Sequence, residues 1–365
     1  MYQQSNLVGV SAAARILGVS NSTVYRMVDS GILTPTKTPG GQRRFDTNQL
    51  GEYLAKSRTI AAPQNPSRAL AAEEPAEKPP SKIDARNKLN DLTGAEWMPL
   101  TKSFTYQKGL GSKHPHAQIE RQHPAPFSFQ DVSQLISFFT KEGMVVLDPF
   151  GGVGSTAKAA AVTGRKSISI ELQKHWNELA IERLETEVAP GDSSKHTFIN
   201  DDSREALLKF EPESVDFVIT SPPYWSILNK KADHKVKQER LANDLATNYS
   251  DSDPKDLANI ADYSTFLKVL ASDFIVPSAR ALKSGKYLCM IVSDFRNKSK
   301  FVSFHSDLIQ ELDNANTEDG ATLALQGVKV LLQNHKSLLP YGYPFAYVEN
   351  IHHQYILIFR KVAKP

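Results

Sequence analysis

Apolar runs at 144–150 (MVVLDPF), 166–171 (KSISIE), 214–221 (SVDFVITS), 286–295 (KYLCMIVSDF) and 354–361 (QYILIFRK) punctuate the second half of the chain. Each is short and bounded by turn-forming or charged residues, which is the pattern of a strand. Amphipathic stretches at 155–163, 173–186, 262–283 and 301–313 lie between them and predict helices. Strands alternating with helices predict an α/β fold with a largely parallel, doubly wound sheet. The terminal QYILIFR alternates apolar with polar and predicts an antiparallel edge or inserted strand. Such sheets take ligands in the crevice beyond the carboxyl ends of their strands.

Upstream the pattern changes. VGVSAAARILGVSNSTVYRMVDSGILTP reads as helix, turn, helix, with Ala13, Ala14, Ile16 and Leu17 on the packed face of the first. Ser20 or Asn21 can cap the second, which carries Thr23, Val24 and Tyr25 and offers Met27 and Val28 for packing. TPGGQRRF adds a glycine turn flanked by strand-like residues, the outline of a wing. From 59 the chain is rich in Pro, Ala and Glu with few large apolar groups, so it reads as a semi-extended tether. The expected division is 1–58, a winged helix-turn-helix; 59–92, a linker; and 93–365, the α/β domain.

Composition narrows the class. The 365 residues are 40% hydrophobic and 23% charged, enough for a large domain beside a small one. No run of eighteen apolar residues occurs, and MYQQSNLVGV lacks the basic region and apolar core of a secretory signal, so no membrane association and a cytoplasmic location are expected. The net charge of +3 is small, but residues 1–60 hold seven Lys/Arg against three Asp/Glu, compatible with a phosphate-facing surface. The one cysteine, Cys289, sits in an apolar run and reads as core. His352 and His353 lack partners at ligand spacing, so no metal site is expected.

Two motifs carry the chemistry. In VVLDPFGGVGSTAKAA, Asp148 ends a strand, Pro149 and Phe150 lead into a turn with Gly151, Gly152 and Gly154, and Ser155 and Thr156 open a helix. The acid before the turn and the missing lysine argue against a pyrophosphate site. A sulfonium cofactor with an amino-acid tail matches Asp148 better. Glu171 ends the next strand, where a carboxylate can accept from both ribose hydroxyls, and Asp202 follows at the next strand end, placed to accept from an adenine amino group. In SVDFVITSPPYW a buried strand ends in Ser221, Pro222, Pro223, Tyr224 and Trp225. Two prolines stiffen this loop, oxygens of Ser221 and Pro222 can hold an amino group, and the Tyr224 ring offers a face to a flipped base.

These two motifs resemble those of the amino-group DNA methyltransferases, which act on cytosine N4 or adenine N6. The resemblance covers roughly 97–365 and implies a Rossmann-like methyltransferase sheet, S-adenosyl-L-methionine as cofactor and double-stranded DNA as substrate. It makes Ser221, Pro222, Pro223 and Tyr224 catalytic. It assigns Asp148, Pro149, Phe150, Gly151, Gly152, Gly154, Ser155, Thr156, Glu171 and Asp202 to the cofactor. His123, Pro124 and Phe127 resemble the segment that packs against its methionine end. SPPYW looks more like the cytosine-modifying members, so cytosine N4 is the expected target and adenine N6 the alternative. A cognate restriction enzyme is a partner the resemblance leaves open.

Residues 7–56 resemble the winged DNA-binding domains of MerR-type regulators and phage excisionases. By that resemblance Ser22, Thr23 and Arg26 face the groove and Arg43 and Arg44 the backbone, and pairing into a homodimer is open. A nucleoid-associated protein follows from both resemblances. Two segments are candidates for target recognition. One is 229–263, which opens with a charge run including Lys230 and Lys231. The other is the late loop with Tyr341, Tyr343, Phe345 and Tyr347, some of which are expected in the core. A DNA-binding regulator with a degenerate catalytic domain remains the competing reading; intact motifs speak against it.

Overall fold

The computed structural model describes residues 7–17, 21–29, 32–38, 43–51, 82–107, 114–225, 246–247, 253–298, 300–313, 315, 317, 320–334, 336 and 338–363. Of Arg15, Asn21, Ser22, Arg26, Asp29 and Lys37 it describes the backbone only. The chain divides into two compact units, Met1–Glu77 and Lys78–Pro365.

In the first unit, β1 (Leu7–Gly9), β2 (Thr36–Lys37) and β3 (Arg43–Asp46) form an antiparallel sheet in the order β1-β3-β2 beside helices Val10–Leu17 and Asn21–Asp29. Ala13, Ala14 and Leu17 from one helix and Val24 and Met27 from the other meet Leu33, Phe45 and Leu50 in a closed core. These positions recur at helical spacing and so share one face of each helix. Ile16 does not join them: it lies off the flank of the stripe and is exposed. Tyr25 is exposed too, with the Arg43 guanidinium 5.4 Å from its ring centre.

The second unit is built on an eight-stranded sheet in the order β4-β12-β13-β9-β8-β5-β6-β7. Its strands are β4 (Phe104–Tyr106), β5 (Val145–Asp148), β6 (Lys166–Glu171), β7 (Thr197–Asn200), β8 (Val215–Thr220), β9 (Leu282–Val292), β12 (Thr322–Leu332) and β13 (His353–Val362); a separate hairpin joins β10 (Phe295–Asn297) to β11 (Lys300–Val302). Strands β7, β6, β5, β8 and β9 run parallel, and β13 is inserted antiparallel between β9 and β12. Alternate residues feed opposite faces, as the pleat requires. Val146, Phe217, Ile219, Cys289 and Ile291 pack under the helices Phe129–Phe139 and Ser155–Val162. Leu147, Val218, Leu288, Met290 and Val292 pack on the other face against Phe266, Phe274 and Phe304. Cys289 is a core residue whose thiol burial pushes up in pKa.

Three features depart from the periodicity. The expected helix 262–283 is helix Tyr263–Val269, a π segment Leu270–Ile275 and helix Val276–Ala281. Pro277 explains the break, since its ring would crowd the carbonyl one turn back and a wider turn relieves this. The helix expected from 301 begins at Phe304, because 300–302 pair in the β10–β11 hairpin. Residues 82–92, expected as tether, belong to the second unit, and although 82–86 are exposed, Asn90 is fully buried and its amide donates to the Phe138 carbonyl at 2.6 Å. No helix among the described residues is long and apolar enough to cross a membrane.

Gly154 shows how tightly the turn after β5 is packed. Its φ is +73°, and a Cβ there would lie 2.8 Å from the Cβ and 3.1 Å from the Cα of Ala180 on the helix Lys174–Glu187. Gly154→Val is therefore expected to destabilise the folded chain by about 2–4 kcal/mol, combining backbone strain with overpacking. A denaturant melt matching the parent would contradict this packing.

Candidate active site at the carboxyl edge of the sheet

The strand order reverses beside β5, with β6 and β7 on one side and β8 and β9 on the other. A crevice opens at such a point. Its two walls are joined by one carboxylate. Asp148, fully buried at the end of β5, accepts from the Thr156 hydroxyl at 2.5 Å and the Thr220 hydroxyl at 2.7 Å. It also accepts from the Phe150 amide at 3.0 Å. Burial pushes its pKa up, against the pull of these three donors. Thr156 opens the helix after the glycine turn, and Thr220 is the last residue of β8 before Ser221.

Asp148 was expected to meet the cofactor's tail. Its oxygens face protein donors and it does not line the cleft. Thr156, Ser155, Gly151 and Gly154, expected at the cofactor, also lie outside the cleft lining. Ser155 accepts from the buried Arg183 guanidinium at 3.0 Å, and a Cβ on Gly151 would sit 3.0 Å from that of Ser169.

The cleft holds about 620 Å³ including its open mouth. Pro149, Phe150 and Gly152 come from the turn, Ile170, Glu171 and Leu172 from the end of β6, and Ser221 and Pro223 from the loop after β8. Trp176, Leu257 and Phe274 add apolar walls, and Asp202 and Asp256 two more acids. The Glu171 carboxylate accepts from the Gly152 amide and the Gln173 amide, each at 2.8 Å. Burial pushes its pKa up to about 7, with Asp148 and Asp256 adding to the shift and the two amides opposing it. His123 lines the cleft with its ring edge-on to Trp176 at 5.1 Å, facing Gly152. Gly152 has φ +50°, and a Cβ there would lie 3.5 Å from His123 Nε2, so the missing side chain keeps this wall open.

Other expected residues take different places. Asp202 lines the cleft, but the Arg204 side chain donates to both of its oxygens at 2.6–3.1 Å, so it presents a neutralised pair. Phe127 belongs to the core under the sheet, and neither it nor Pro124 reaches the cleft. Pro222 is buried and does not line it. Nor does Tyr224, whose ring is edge-on to Phe304 at 6.4 Å. Its hydroxyl accepts from Gln354 Nε2 at 2.9 Å and is bonded to Ser221, and burial raises its pKa. Ser221 itself donates to the Ile291 carbonyl at 2.9 Å. Trp225 is core, with φ +43° and its indole N–H on the Ile260 carbonyl at 2.8 Å.

Thr23, Arg43 and Arg44 lie in the first unit, with both arginines on β3. The side chains of Ser22 and Arg26, and all of Lys230 and Lys231, fall outside what is described. Of the segment 229–263, the described part from 253 folds inward: Leu257 and Ala258 are buried, and Lys255, Asp256 and Leu257 line the cleft. These residues, with Trp176, Phe274 and Gln354, were not expected at the site. Trp176 alone had a signal, two residues into the helix that follows the Glu171 strand end. Among the described residues, no group of His, Cys, Asp and Glu is arranged to hold a metal ion.

Residues 43–182 match the DNA methylase family and residues 7–58 match a helix-turn-helix domain family. A DNA methylase domain and a helix-turn-helix domain are thus both present. The first match takes in the glycine turn and Glu171 and ends before Ser221. Among curated relatives, the orphan methyltransferase M.BamHII of Bacillus amyloliquefaciens is 43% identical over 67 residues, 18% of this chain and 25% of that one. The type II methyltransferase M.MthZI of Methanothermobacter thermautotrophicus is 31% identical over 128 residues, 34% of each chain. The chain thus spans a quarter to a third of the length of these relatives. Solved structures are more distant. TrmN from Thermus thermophilus aligns at TM-score 0.39 and 18% identity over 69% of this chain and 53% of that one.

The clamp at Asp148 can be tested directly. Asp148→Ala strands two hydroxyls and an amide inside the protein and is expected to cost roughly 3 kcal/mol or more. Thr220→Val, which removes one donor, should cost about 1–2 kcal/mol. Equal unfolding midpoints for Asp148→Ala and the parent would refute the clamp.

Proposed function

We propose that the chain transfers a methyl group from S-adenosyl-L-methionine to the exocyclic amino group of a base in double-stranded DNA, at cytosine N4. The observation that carries this reading is that Ser221, at the end of β8, lines the same cleft as Gly152 and Glu171. The curated relatives are methyltransferases by name, which supports the reaction class. The helix-turn-helix domain supports duplex DNA as partner, since the deep, narrow major groove of RNA does not admit such a helix.

The cleft suits the cofactor by its own chemistry. Glu171 is placed to accept from ribose hydroxyls, the apolar walls at Phe150, Trp176, Leu257 and Phe274 suit a purine, and the carboxylates favour a cation. Gly152 leaves beside His123 the space that a side chain would fill. When bound, S-adenosyl-L-methionine supplies an electrophilic sulfonium methyl.

The protein's part is to orient the amino nitrogen. Ser221 has committed its hydrogen to the Ile291 carbonyl. Tyr224, already accepting from Gln354, lies in hydrogen-bond contact with Ser221. The serine oxygen keeps a lone pair for an incoming amino hydrogen, so the hydroxyl is fixed as an acceptor. Drawing on the amino hydrogen biases the nitrogen toward attack, which is positioning plus electrostatic stabilisation with no covalent enzyme intermediate. The lean to cytosine rests on Ser221 in place of a carboxylate and on Trp225 after Tyr224.

Incubating the purified chain with labelled cofactor and mixed-sequence duplex DNA, followed by nucleoside mass spectrometry, tests the proposal. N4-methylcytosine is the expected product. N6-methyladenine alone would move the target atom, and no transfer at all would overturn the activity. Ser221→Ala should lower kcat by about 10²–10³, the scale for a lost transition-state contact, with cofactor affinity kept.

The raised pKa of Glu171 gives a second test. The carboxylate form accepts both ribose hydroxyls, so cofactor affinity should rise with pH and level off above about 7. One unit below that point only about a tenth of the sites are competent, and the apparent Kd should be roughly tenfold weaker. Glu171→Gln should bind weakly with a flat profile. A parent profile flat from pH 5.5 to 8 would remove Glu171 from cofactor binding.

A further inference from the structure

The loop between β12 and β13 carries an aromatic residue at every second position from 341 to 347 and turns these rings outward. Tyr341 is 40%, Tyr343 81%, Phe345 93% and Tyr347 85% exposed. The expectation that some of them are core is therefore wrong. Patches of this kind mark binding surfaces.

The tip is folded. Gly342, at φ +73°, takes the amides of Phe345 and Ala346 on its carbonyl, each at 2.7 Å. A Cβ there would fall 2.3 Å from the Ala346 carbonyl oxygen, so only glycine fits. At the neck, Asn350 accepts from the Leu339 amide and donates to the Leu339 carbonyl, both at 2.9 Å. Below the neck, β13 pairs with the last residues of β9, Tyr355 opposite Val292. Gln354 holds the Tyr224 hydroxyl, and Tyr355 stacks on His305 at 3.7 Å. The tip thus rises from the sheet edge that carries Ser221.

We propose that this tip contacts duplex DNA by stacking its rings on bases next to the one presented to Ser221. The proposal rests on the methyltransferase reading. Gln354 follows Tyr347 by seven positions, so the Cα of Tyr347 lies within about 25 Å of that of Gln354, whose side chain holds the Tyr224 hydroxyl. That is less than one turn of duplex, about 34 Å. The tip is thus within one duplex turn of the residue that holds Tyr224 beside Ser221. The segment from Ser337 to Val348 has no charged residue, which suits contact with base faces rather than phosphates. A base drawn from the stack leaves a gap, and aromatic side chains fill such gaps. Rings on a folded tip lose little freedom on docking.

The full chain and its Tyr343→Ala/Phe345→Ala/Tyr347→Ala variant are titrated with sheared genomic duplex DNA over a range of salt. Each stacked base contributes roughly tenfold in affinity, so the variant should bind at least tenfold more weakly at every salt concentration. Its log–log salt slope should match the parent's, because no phosphate contact is lost. Melting temperature and cofactor affinity should not change, and bromodeoxyuridine-substituted duplex should crosslink to the parent between 341 and 347. Equal DNA affinities, or no crosslink in that segment, overturn the proposal; continued methylation of the same DNA by the parent leaves the methyltransferase reading standing. A parent dimer that becomes a monomer in the variant at equal DNA affinity makes the tip a contact between copies, which also overturns it. Weakened binding with crosslinks but no methylation by the parent keeps the tip and sinks the activity.

Discussion

A single buried carboxylate makes one site of two motifs 65 residues apart. Asp148 spends its oxygens on Thr156, Thr220 and the Phe150 amide, which fixes the glycine turn and the end of β8 to the same point. Enclosing an acid is costly unless donors surround it, and this cost sets the geometry: neither wall can shift without stranding a polar group. A second enclosed charge holds the turn from outside. Arg183 bonds the Val153 carbonyl and Ser155 and pairs with Glu120 at 2.5 Å and Glu187 at 3.1 Å. Lys158 pairs with the same Glu187 at 2.5 Å. Buried ion pairs add little net stability, but removing one partner is severe. They work here as fixtures of shape.

With both walls fixed, the cleft sorts its acids by what already satisfies them. Asp148 is saturated and hidden, and Asp202 is neutralised by Arg204. Glu171 is held by two backbone amides that leave lone pairs toward the cleft. Burial and neighbouring acids raise its proton affinity, and a cation or a hydroxyl donor beside it offsets that shift. The same economy governs Ser221, whose hydrogen is bound before any substrate arrives.

The parallel strands were legible because their sequences alternate with helical stretches and end in motifs. KSISIE occupies the bounds expected, and QYILIFR, whose alternation allows an antiparallel edge or an inserted strand, is the inserted one. β12 was missed for a physical reason: a register shift between Leu325 and Gly327 moves its alternation by one residue, so no single period spans TLALQGVKVLL. The motifs announced which residues gather at the strand ends, but not which way each side chain turns. Asp148 and Tyr224 have the right chemistry for ligands and are used on protein partners instead. Leu257 and Phe274 have no local signature at all, since they reach the cleft through the packing of segments far along the chain.

The inserted strand explains why the aromatic tip and the Ser221 loop belong to one mechanical element. β13 pairs along its length with β9 and β12, so its first residues stand at a fixed height above the sheet edge. There Gln354 bonds Tyr224, which bonds Ser221. Tyr355 meets the His353 ring nitrogen at 3.0 Å and stacks on His305, which binds Asp294 at 2.7 Å just beyond β9. Under the proposed reading, the tip that meets DNA and the side chain that holds the Tyr224 hydroxyl beside Ser221 are therefore carried by one inserted strand and its leading loop.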